Sequence, residues 1–126
     1  MIPVIIAGII GAGIGAIVAL NWDEIKSWLT NLICEVKELW QKYKPYVKKV
    51  ASIVAEKYIK NGHPMVRIMY RLFFQDENTH KWNELQNLPT QEIKADELPP
   101  FIQAKLKHAE QVDITNEMQR ELKLTV

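Results

Sequence analysis

Arg67 and Arg71 stand four residues apart in the stretch MVRIMYRLFFQ (residues 65–75), interleaved with Met69 and Phe73. Guanidinium planes set among aromatic side chains suit phosphates and bases, so these two arginines are the best candidates for a ligand- or partner-facing site. The ordinary alternative is that each pairs with an acid of the C-terminal helices, an arrangement that contributes little. Other reactive side chains are less organised. His63, His80 and His108 have no metal-ligand spacing among themselves. Asp76, Glu77 and His80 share one turn that a surface hairpin explains, and Glu117 and Glu121 share a helix face with nothing to react between them. Four of the five glycines fall before residue 20, so no glycine-rich phosphate loop follows a strand. The single Cys34 excludes a disulfide framework within the chain. These patterns point away from an enzyme, imply no metal or cofactor, and give no reason to expect a nucleic-acid partner.

The arginines need a strand to hold them on one side. Val66, Ile68, Tyr70, Leu72 and Phe74 alternate with Arg67, Met69, Arg71, Phe73 and Gln75, which predicts a strand with one wholly apolar face. Asp76–Thr79 reads as a turn, 81–88 as a return strand ended by Pro89, and 91–94 as a short extended piece. Pro99 and Pro100 suit the first turn of a helix with Phe101, Ile102, Leu106 and Ala109 as its apolar positions. Thr115 or Asp113 can cap a last short helix bearing Met118 and Leu122. A unit of residues 63–126 with two or three strands has a marginal core and needs the preceding segment or a neighbouring copy.

That preceding segment, residues 21–62, reads as a long amphipathic stalk helix. With Trp22 at heptad position a, the a series is Trp22, Leu29, Val36, Tyr43 and Val50, and the d series is Ile25, Leu32, Leu39, Tyr46 and Ile53. All ten are apolar or aromatic, the signature of a coiled-coil seam. The e positions Lys26, Ile33, Trp40, Val47 and Val54, apolar after the first, widen the face beyond a two-stranded seam, which suits either a larger bundle or a monomer folding its second half back over the helix. Pro45 predicts a kink or break near Lys44, and Asn61-Gly62 followed by Pro64 reads as the helix stop. The segment carries eight lysines against five acids, a balance that a solvated helix face explains and that could also touch anionic headgroups.

Before it, Ile2 to Leu20 form nineteen residues without a charged, amide or hydroxyl side chain, about 28 Å as a helix and close to a bilayer's hydrocarbon thickness. Ala7, Gly11, Gly15 and Ala19 make one row of small residues at a spacing of four, and Gly8, Ala12 and Ala16 make the next. Such rows let helix backbones approach closely within lipid. In the heptad frame they continue the apolar seam. Lys26 and the lysines beyond it place the C-terminal bulk in the cytoplasm by the positive-inside bias.

With 126 residues, 48% hydrophobic and 25% charged, the chain is expected to be mainly α: a transmembrane helix over 1–20 continuous with a stalk over 21–62, then a cytoplasmic α+β unit over 63–126 made of a β-hairpin and two short helices. The expected role is a single-pass, membrane-anchored scaffold that self-associates along this seam and displays a partner-binding unit. The alternative is a membrane-active effector whose glycine-lined helices form or gate a pore.

Overall fold

A computed structural model describes residues 20–43 and 48–126. Leu20 donates its amide to Glu92 O at 2.8 Å, and Asn21 donates to Glu24 Oε1 at 3.1 Å while accepting from the Glu24 amide at 2.8 Å. The Asn21–Glu24 exchange is a reciprocal capping box. It starts helix α1 (Trp22–Tyr43), which therefore opens on its own cap and does not continue an earlier helix.

After α1 the chain is extended. Strand β1 (Lys49–Lys60) pairs antiparallel along its whole length with β2 (His63–Gln75) through the two-residue turn Asn61-Gly62. Both turn residues have positive φ, 51° and 79°, which places Gly62 where only a residue without Cβ sits at no cost and gives the turn the twist a hairpin requires. Strands β3 (Trp82–Glu84) and β4 (Thr90–Lys94) share the far edge of β2, β3 against Phe73–Gln75 and β4 against Met65–Met69. A 3-10 turn (Ala95–Glu97) leads to α2 (Pro100–Leu106), then to β5 (Gln111–Asp113), which pairs with Val54–Glu56 on the other edge of β1, and last to α3 (Thr115–Leu122). The sheet order is β3-β2-β1-β5, with β4 beside β3 on the edge of β2.

The helices cover one face of this sheet. Ile25, Leu29, Leu32, Ile33, Val36 and Trp40 of α1 are buried in one core with Ile53, Ala55, Val66, Ile68, Tyr70 and Leu72 of the hairpin, joined by Ile102 and Leu106 of α2 and Met118 of α3. Trp40 meets Phe74 with ring centroids 5.4 Å apart, tilted by 58°. Removing such surfaces from water at about 25 cal/mol per Å² is the main force that holds α1 to the sheet.

This architecture overturns the expected fold. The chain is not mainly α: a five-stranded antiparallel sheet is its centre, and the boundary drawn at residue 62 falls inside a hairpin turn. Among the described residues there is no continuous rod and no long coiled-coil helix, because α1 ends at Tyr43 and Lys49–Lys60 is a strand. Among the described residues, no helix is long and apolar enough to cross a membrane. The heptad series is divided accordingly. Ile25, Leu29, Leu32, Val36 and Ile53 are buried against the chain's own sheet, Trp22 and Leu39 are half-buried at its margin, and Val50 points away from the core, 56% exposed. The second of the two outcomes that the wide apolar face allowed is thus the one observed: the C-terminal half folds back over the helix. Tyr46, the side chain of Tyr43, the bend at Pro45, the transmembrane expectation and its rows Ala7, Gly8, Gly11, Ala12, Gly15, Ala16 and Ala19 lie outside the described residues.

Candidate functional site: the open face of the sheet

Alternation in β1 and β2 sends one set of side chains to the core and the other to a face that no helix covers among the described residues, although Val54 and Met65 on that face are only 7% exposed. On β2 that second set is Met65, Arg67, Met69, Arg71, Phe73 and Gln75; opposite them on β1 stand Tyr58, Glu56, Val54, Ser52, Val50 and Lys48. The expectation that Arg67 and Arg71 share a face beside Met69 and Phe73 agrees with this geometry.

Their partners differ from the expectation. Arg71 makes a two-pronged contact with Glu84 of β3, Nε to Oε1 at 2.8 Å and Nη2 to Oε2 at 3.0 Å, and its guanidinium lies 5.1 Å from the centre of the Phe73 ring. Arg67 donates from Nη1 to Glu56 Oε1 at 3.0 Å and lies 4.7 Å from the centre of the Tyr58 ring. Both carboxylates come from neighbouring strands rather than from the C-terminal helices. Glu92 of β4 stands opposite Arg67 and takes Lys60 Nζ at 3.1 Å. The forked, ring-backed pair at Arg71 holds its guanidinium in one orientation, while Arg67 is held by a single bond and the Tyr58 ring.

Electrostatics follow the same pairing. Arg71, hydrogen-bonded to Glu84, holds the Glu84 carboxyl below its ordinary value of 4.5. The Tyr58 hydroxyl, then Lys60, lower that of Glu92. Burial and the Glu92 carboxylate push the Tyr58 hydroxyl up to about 12. On α3, Glu117 is lowered by its ion pair with Lys105. Groups with depressed folded values stabilise the domain above their unfolded value and lose that contribution as pH falls through the folded one. Thermal unfolding followed by circular dichroism is therefore expected to show stability falling as pH drops below 4.5. The fall should be shallower in Glu84→Gln; an identical pH slope in that variant would show that the Arg71 pair contributes nothing to acid sensitivity.

On this face Lys48, Lys60, Arg67, Arg71 and Lys94 stand against Glu56, Glu84, Glu92 and Asp113, a surplus of one positive charge that is too small to draw a polyanion. A phosphate at Arg71 would have to displace both Glu84 contacts. Among the described residues no three His, Cys, Asp or Glu side chains are grouped to hold a metal ion. His63, His80 and His108 are exposed in separate places, as is Cys34 on the outer side of α1.

A second concavity, of about 910 Å³, opens between the tip of the β1–β2 hairpin and α2. Val66, Leu98 and Leu106 line it, and Ile59 at its rim is 68% exposed. Its central polar groups are already engaged, Lys57 Nζ with Leu106 O at 2.6 Å and Gln103 Nε2 with Leu98 O at 2.6 Å, so they do not converge on an occupant.

Sequence reasoning missed Glu56, Tyr58 and Glu84 as the partners of the arginines, and Val50 and Trp82 as the exposed hydrophobics of the same face. The Asn61-Gly62 turn carried the signal for β1: counting outward from it one pair at a time sets Glu56 opposite Arg67 and Val50 opposite Phe73. No comparable local signal identified Glu84, whose strand is three residues long. Comparisons with protein-family models, curated proteins and solved structures give no match to this chain.

Proposed function

We propose that the chain is a non-enzymatic interaction protein, attached to a membrane through residues 2–20 and displaying the open sheet face to a protein partner. The observation that carries the recognition half of this reading is the unequal treatment of the two sheet faces. One is filled by the chain's own helices, while the other holds Arg67 and Arg71 in fixed ion pairs with no cover among the described residues. Pre-ordered arginines backed by aromatic rings are frequent anchors of protein interfaces, since little side-chain entropy is left to lose on docking.

The membrane half rests on composition alone: nineteen consecutive residues without a charge, the last of which, Leu20, donates its amide to Glu92 O of β4. Full-length protein mixed with liposomes is expected to float with the lipid on a density gradient. The variant Ile10→Lys/Ile14→Lys is expected to stay in the dense fraction, since each lysine in the hydrocarbon costs about 3 kcal/mol on insertion scales. Wild-type protein that remains in the dense fraction would overturn attachment.

A further inference from the structure

We infer that the tip of the β1–β2 hairpin rests on the lipid surface through Ile59 and Pro64, so that the sheet stands on the bilayer by that end. The inference rests on the reading of residues 2–20 as the attached segment and adds where the domain meets the lipid. Leu20, the last residue of that segment, packs against the core and donates its amide to Glu92 O of β4 at 2.8 Å, and α1 starts on its cap at Asn21. No linker separates Leu20 from the fold. The direction of α1 then sets which end of the domain faces the lipid. Its start lies beside Glu92, which stands opposite Arg67, and near its other end Trp40 packs on Phe74, about 23 Å further along β2 at about 3.3 Å per residue. α1 therefore runs the same way as β2, and its N-terminus points back towards the hairpin tip. Lys60, the last residue of β1, is linked to Leu20 through Glu92 alone, its Nζ 3.1 Å from Glu92 Oε2. A bilayer that holds residues 2–20 therefore lies against this end of the sheet.

The side chains at the tip suit that contact. Ile59 and Pro64 stand opposite each other across the strands, both exposed, and Ile59 at 68% is the most exposed large hydrophobic among the described residues. Alternation puts the pair on the same side of the sheet as α1, past the point at which that helix begins, at the rim of the cleft lined by Leu98 and Leu106. Entering the interfacial zone removes this apolar surface from water. Charge adds less. Lys57, Lys94 and Lys107 line the cleft with Asp96 and Glu110, and Lys60 is paired with Glu92. With charges so close to balance, the apolar pair is the main hold, and neutral lipid suffices for it; the lysine stems can lie along the interface with their ammonium groups in water. The same placement keeps the interaction face clear of the bilayer plane. β1 is 12 residues long, about 40 Å, so the Asp76–Thr79 turn and Trp82 stand at the end away from the lipid.

The test uses the full chain on a Cys34→Ser background, with one cysteine at the tip, His63→Cys, or in the far turn, Asn78→Cys, each carrying an environment-sensitive fluorophore. In phosphatidylcholine liposomes that contain a lipid with a nitroxide on its headgroup, fluorescence at position 63 is expected to be quenched several-fold more than at position 78. Adding Ile59→Glu, an exposed position whose substitution leaves the core intact, should preserve flotation and lower the quenching at 63. Equal quenching at the two positions, or stronger quenching at 78, in protein that floats would overturn the contact at the tip and leave attachment standing. Quenching at 63 that Ile59→Glu does not change would overturn the apolar pair as the hold on lipid. Wild-type protein that stays out of the lipid fraction overturns attachment before any fluorophore is read, and this contact with it.

Discussion

Leu29→Ala is expected to destabilise the domain by about 3 kcal/mol while leaving its subunit number unchanged. Leu29 is fully buried and belongs to the α1 face packed on the hairpin. Truncating it removes the transfer energy of the lost methyl groups and opens a void that the surrounding core fills only in part. Against a total of about 5–15 kcal/mol for a domain of this size, that is a large fraction, visible as a fall in melting temperature of more than about 10 °C. Glu38→Ala, on the exposed side of the same helix, should change stability by less than about 0.5 kcal/mol. A coiled-coil seam would behave differently: Leu29→Ala would dissociate subunits, and melting would depend steeply on protein concentration. A concentration-dependent melt in Leu29→Ala with the fold otherwise intact would contradict the packing of α1 on its own sheet.

Where the period of hydrophobic residues admitted a single answer, the sequence was legible. Alternation over 66–75 identified β2 and put Arg67 and Arg71 on a common face, and the prolines at 99 and 100 marked the start of α2. The stretch KVASIVAEKYIK was ambiguous. Val50, Ile53 and Val54 satisfy a heptad as well as a strand, and the helical phase inherited from α1 favoured the wrong answer. Two facts of physical chemistry decide it. β-branched residues at 50, 53, 54 and 59 favour extended backbone, and Asn61-Gly62 between two apolar runs accepts the doubly positive φ of a hairpin turn more readily than it ends a helix. Once β1 is a strand, the seam cannot continue, and the apolar stripe of α1 must find its cover in the sheet. The e-position residues Ile33 and Trp40 already signalled this, since they widen the stripe to match a flat partner rather than one other helix. The pairing of Arg71 with Glu84 was beyond reach, because β3 is fixed by tertiary contact and not by any local pattern of its own.

Thr115→Val is expected to cost about 2–3 kcal/mol, more than its exposure suggests, because the hydroxyl joins three elements. Thr115 Oγ1 accepts the Ile53 amide of β1 at 2.9 Å and donates to Asp113 Oδ1 at 2.5 Å, while the Ile114 amide reaches Ile53 O at 2.8 Å. Ile53 itself is fully buried. Valine keeps the shape but removes the acceptor, so the Ile53 amide is left in the core without a partner, which costs its full desolvation. The consequence extends beyond one bond. β5 is three residues long and shields the middle of the β1 edge, where it is held by its ladder, by Lys57 N to Glu110 O at 2.8 Å and by this hydroxyl. Loosening the Thr115 joint should raise amide hydrogen exchange at Ile53 and Lys57 before global unfolding, and expose an unpaired strand edge that promotes aggregation. Thr115→Ser restores the hydroxyl and should return both exchange and melting close to wild type. If the serine and valine variants are equally destabilised, the lost methyl packing rather than the hydrogen bond holds β5 and α3 to the sheet.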